Sequence, residues 1–117
     1  MRKFALAGIG FALSVGVAGI AFAAEKSVTG TLEDSFCYVT MGAHGAGHKK
    51  CAAECARKGI PVSLMEQGSE KLYVLLPPKN NEPLPDSVMR KMESQVTVTG
   101  DEYTKGGVDY LTVKSVK

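Results

Sequence analysis

Tryptophan is absent from this 117-residue chain, and aromatic residues of every kind make up only 7% of it. Histidine occurs twice and cysteine three times. An excess of one charge is lacking too: fourteen basic and twelve acidic side chains leave a formal net charge of +2. That balance gives no electrostatic footprint for nucleic acid or an anionic membrane surface. The chain has no G-x-S-x-G elbow, no H-E-x-x-H helix and no phosphate-cradling glycine loop. Both the C-x-x-C-H of haem attachment and the C-x-x-C of thioredoxin-like proteins are missing.

Charge is wholly absent from Phe4 to Ile20, directly after Arg2 and Lys3. Ala21-Phe22-Ala23 then puts small residues three and one before a cut. This layout predicts a secretory signal peptide over residues 1–23, cleaved after Ala23, and hence a periplasmic or secreted product. Gly8, Gly10, Gly16 and Gly19 in the apolar run weaken its reading as a membrane anchor, so no stable membrane insertion is expected after cleavage. Residues 24–117 retain twelve basic and twelve acidic side chains and suit one small core with no second domain.

Alternation of apolar and polar residues predicts strands at Val28–Leu32, Ile60–Met65, Lys71–Leu76, Gln95–Thr99 and Val108–Val116. Glu66 to Glu70 and Lys105-Gly106-Gly107 provide turns. A helix is expected over about Ala46 to Lys58, stopped by Gly59 and Pro61 but started poorly by Gly45 and Gly47. A second, short helix over Pro85 to Glu93 carries Val88, Met89 and Met92 at helical spacing, as core residues.

The expected fold is therefore mainly β with two short helices, in the order β-α-β-β-α-β-β. Without the first helix, that is the order of the oligonucleotide/oligosaccharide-binding (OB) barrel. Val96-Thr97-Val98-Thr99-Gly100, leading through Gly106-Gly107 to Leu111-Thr112-Val113, is similar to the last two strands of such barrels. At the level of pattern the chain resembles small exported bacterial OB-fold-like proteins whose first loop carries Cys and His. The resemblance implies a five-stranded OB-like barrel over residues 24–117, with a Cys/His helix inserted at about 36–59.

All the cysteines and histidines fall between Cys37 and Cys55. On a helix, His44, His48, Cys51 and Cys55 would sit at about 0°, 40°, −20° and 20°, one narrow stripe. Cys37, placed at the end of strand one, can fold onto that stripe through a loop. Cys37, His48, Cys51 and Cys55 make a three-sulfur, one-nitrogen set suited to Zn²⁺, and with His44 and Met41 nearby also to Cu⁺. The leading expectation is a soft-metal protein, structural or carrier in role, with an exported metalloprotein or envelope protein as partner and no enzymatic activity.

An alternative reading joins Cys37 to Cys51 or Cys55 in a disulfide worth about 3 kcal/mol, stapling a barrel that binds a protein or glycan without metal. Cys51 and Cys55 should not pair with each other, because residues four apart on a helix hold their Cβ atoms too far apart. A third reading is a thiol redox protein, which requires a depressed cysteine pKa. His44, flanked by glycine, also reads as a solvated loop residue, and Met41 as loop packing. Glu33 and Asp34, adjacent on a strand, are expected on opposite faces at a solvated strand end. Tyr73, Tyr103 and Tyr110 are expected to fill the core rather than to line a stacking groove.

Overall fold

A computed structural model describes Gly10 and residues 23–117. The leader assigned to residues 1–23 thus lies, apart from Gly10 and Ala23, outside the described residues. Six strands and three helices follow: β1 (Ala24–Asp34), α1 (Ser35–Met41), α2 (Lys49–Arg57), β2 (Val62–Glu66), β3 (Leu72–Leu76), α3 (Asp86–Met89), β4 (Gln95–Lys105), β5 (Val108–Thr112) and β6 (Ser115–Val116).

The sheet closes on itself because β1 is long enough to serve two partners. Its first part pairs antiparallel with β4, from Ala24↔Glu102 to Thr31↔Gln95. Its last part pairs with β2, from Gly30↔Glu66 to Asp34↔Val62. The strands β3 and β5 join in parallel, Val74↔Tyr110 to Leu76↔Thr112. The result is a closed five-stranded mixed β-barrel, to whose β4 the two-residue β6 adds.

Glycine permits closure at two points. A Cβ on Gly30 would run into the Met65 carbonyl, and one on Gly100 into the Thr112 carbonyl. The Gly106-Gly107 turn has positive φ at both residues (61° and 78°), which the tight β4–β5 hairpin requires. Inward-facing Leu32, Leu64, Tyr73, Val98 and Leu111 fill the barrel, and Ala52 and Ala56 of α2 and Val88 and Met92 pack onto the same core.

Four local expectations are corrected. The segment after β1 is no open loop: Asp34 caps the helix α1 and Gly42, at φ 66°, ends it. The run Val108–Val116 is broken at Val113-Lys114, so its end pairs with β4 as β6. The second predicted helix stops at Met89, and Arg90 to Glu93 continue as turns. The first predicted helix begins with a 3-10 turn, Ala46–His48, before α2 proper.

Candidate metal centre

The centre starts from the period-2 geometry of β1. Val28, Gly30 and Leu32 face inward, and Asp34 ends the same row at 1% exposure. Its Oδ1 accepts the Cys37 N–H at 3.1 Å, so the residue that ends the strand also caps α1. One helical turn later, Cys37 is buried beside it. The opposite wall is the 3-10 turn that places His48, followed by α2.

One ligand atom each from Asp34, Cys37 and His48 lies within 4.8 Å of the others. Cys55 lies beside the same carboxylate: the neighbouring Asp34, reinforced by burial, pushes its thiol up to about 11. Burial first, and the Asp34 charge second, also raise the Cys37 thiol. Cys51 flanks both thiols from the solvent side, where it is exposed. All three cysteines are free, and no disulfide joins Cys37 to Cys51 or Cys55.

A second acidic layer lies against this group. Burial, then the hydrogen bond and charge of Glu93, push Glu33 up to about 8. Glu93 in turn accepts the Gly45 N–H on Oε2 at 2.8 Å, tying the α3–β4 corner to the loop that leads to His48. Among the described residues, four buried side-chain atoms find no hydrogen-bond partner: Glu33 Oε2, Asp34 Oδ2, His48 Nε2 and Glu93 Oε1. All four belong to this region. Two of them, on Glu33 and Glu93, belong to the neighbouring carboxyl pair that raises Glu33. Asp34 Oδ2 and His48 Nε2 remain, a carboxylate oxygen and an imidazole nitrogen beside a thiol. Such buried groups are costly without a partner, and a cation between them would satisfy both.

The structure therefore brings Cys37 and His48 together and sets Cys55 and Cys51 at their edge, but Asp34 takes a central place that the sequence reading did not give it. Glu33 and Asp34 are corrected from a solvated strand end to two of the most buried polar residues, each at 1% exposure, where α1 and α2 pack against β1. The stripe is corrected as well. The core face of α2 is Ala52 and Ala56, so its cysteines sit on the shoulder, with Cys51 exposed.

His44 is exposed, bonds the Gly42 carbonyl through Nδ1 at 2.9 Å and meets the Tyr38 ring edge-on. Met41, at the end of α1, is 64% exposed. Neither takes part in the convergence. Tyr73 is buried in the core as expected, whereas Tyr103 is partly exposed. A signal for Asp34 does exist in the sequence: aspartate three residues before Cys37, with Gly42 beyond, is a cap-and-stop pattern for a short helix. Glu33 and Glu93, 60 positions apart, carry no such signal.

No helix among the described residues is long and apolar enough to cross a membrane. Comparison with protein-family models, curated proteins and solved structures gave no match to this chain.

Proposed function

We propose that this chain is a small exported metal-binding protein: an OB-like barrel that holds a soft metal ion, Zn²⁺ or Cu⁺, at the junction of β1, α1 and α2. The order β1-β2-β3-β5-β4, returning to β1 with β3 parallel to β5, supports the OB-like reading. Export is inferred from the leader-like residues 1–23.

One observation carries the metal reading. Ligand atoms of Asp34, Cys37 and His48 converge within 4.8 Å, and two of those residues hold buried polar atoms with no partner. Cys55 or Cys51 completes a four-ligand set. Because Cys51 is exposed, it gives the ion a thiol through which to leave, which favours a carrier handing metal to an exported metalloprotein or envelope protein. The thiol redox reading finds less support, since Cys37 and Cys55 are both raised and a reactive thiolate requires the opposite.

The test is metal content by elemental mass spectrometry on protein purified from the periplasm without chelator, with free thiols counted after denaturation in chelator. About one ion per chain and three thiols are expected, with metal lost in Cys37→Ser. No metal and a single thiol would overturn the proposal in favour of a disulfide-stapled binding module.

A further inference from the structure

We propose that Asp34 is a ligand in this centre and that its carboxylate makes the site one for a divalent ion of the Zn²⁺ class rather than for Cu⁺. The inference rests on the metal-binding reading above and specifies which ion that site selects and by which residue.

The two carboxylate oxygens have separate tasks. Oδ1 accepts the Cys37 N–H and Oδ2, fully buried, has no partner. A carboxylate oxygen is a hard donor. Zn²⁺ accepts it alongside imidazole and thiolate, whereas Cu⁺ selects thiolate and thioether. The thioethers that a Cu⁺ site would recruit are turned elsewhere. Met41 is 64% exposed, Met89 and Met92 belong to the core, and Met65 Sδ accepts the Tyr38 hydroxyl at 2.8 Å.

Charge points the same way. Asp34 as carboxylate and Cys37 as thiolate bring two negative charges to a buried place. A divalent ion cancels both, and a monovalent ion leaves one uncompensated in a low-dielectric setting. The described residues supply no counter-charge by ion pairing. The ion pairs of the described residues engage Glu25, Asp86, Asp101, Glu102 and Asp109, and none engages Glu33, Asp34 or Glu93. Three carboxyl groups are gathered beside two thiols and an imidazole, and among the described residues no lysine or arginine forms an ion pair with any of them.

Asp34→Asn separates coordination from capping, because asparagine caps a helix as well as aspartate does. The full chain is titrated anaerobically with Zn²⁺ and, separately, with Cu⁺, each in competition with a chromogenic chelator. Asp34→Asn should weaken Zn²⁺ binding by about 10- to 100-fold, as loss of a metal-site partner does, and leave Cu⁺ binding within about threefold. An equal loss for both ions, or no loss for either, overturns the assignment. Failure of the unmodified chain to bind either ion overturns the metal reading itself.

Should the variant not fold, X-ray absorption of the Zn²⁺-loaded natural chain decides. Two light ligands at about 2.0 Å with two sulfurs at about 2.3 Å are expected. A shell of three sulfurs and one light atom would place Asp34 outside the coordination sphere.

Discussion

Glu33 is a carboxyl group on the outward row of β1, yet it is as buried as the core leucines. Its acidity follows from that position. Burial and the adjacent Glu93 push it up to about 8, while in the unfolded chain it returns to the ordinary carboxyl value near 4.5. The folded protein thus holds a proton that the unfolded chain releases. Its stabilising contribution is complete below about pH 4.5 and is lost as pH rises through 8. The metal-free protein should therefore melt at higher temperature at pH 5 than at pH 8.5. Glu33→Gln should flatten that difference, because a glutamine does not ionise. Thermal melts of both proteins in chelator at the two pH values check this, and parallel profiles would show that Glu33 does not carry the effect. If the proposed site binds metal, Cys37 and Cys55 add a second dependence: metal would displace their protons, so metal affinity should rise with pH.

At the scale of elements, the centre depends on how two short helical pieces are held against β1. The helix α1 has seven residues, too few to be stable alone. Asp34 and Gly42 fix its two ends. The loop beyond it has few internal bonds, and its tether is remote in sequence, the Glu93 carboxylate on the Gly45 N–H. Glu93 is itself held at φ 59° by the bond from its N–H to the Leu32 carbonyl, at 2.7 Å. Glu93→Ala should release the loop and lower Zn²⁺ affinity by about 10-fold or more. Glu93→Gln, whose amide oxygen can still accept the Gly45 N–H, should retain most of it. Chelator competition on the two variants distinguishes the cases, and equal losses would mean that the charge rather than the tether matters.

At the scale of the molecule, closure of the barrel brings the Glu93 tether to the proposed site, since Asp34 and Glu93 lie on segments far apart in the chain. Closure depends on Gly100, where β4 passes so near the Thr112 carbonyl that a side chain has no room. Backbone cannot yield as a flexible side chain does, so Gly100→Ala should cost about 3 kcal/mol, the upper end of overpacking effects. Gly47→Ala, with open space around it, should change stability by less than about 0.5 kcal/mol. Urea midpoints of the two variants give the comparison, and similar midpoints would show that β4 can shift.

The strands were legible in the sequence because alternation of apolar and polar residues directly reports a half-buried strand, as in Gln95-Val96-Thr97-Val98-Thr99, and the glycine pair 106–107 marks its own turn. Clustering of cysteine and histidine between Cys37 and Cys55 likewise marked the region of the candidate site, since soft ligands so concentrated need no tertiary information to be noticed. The choice among them did depend on tertiary packing. Helical periodicity placed His44 with the others, but the chain bends into a 3-10 turn and leaves it exposed. An aspartate at a strand end looks the same in a sequence whether solvent or a helix covers it. Here α1 and α2 cover Asp34, and a polar residue became a buried one whose oxygen Oδ2 has no partner and suits the proposed cation. Burial is a property of the assembled molecule, which is why local pattern revealed the strands and the soft ligands, whereas the carboxylates at the centre emerged only once the barrel had closed.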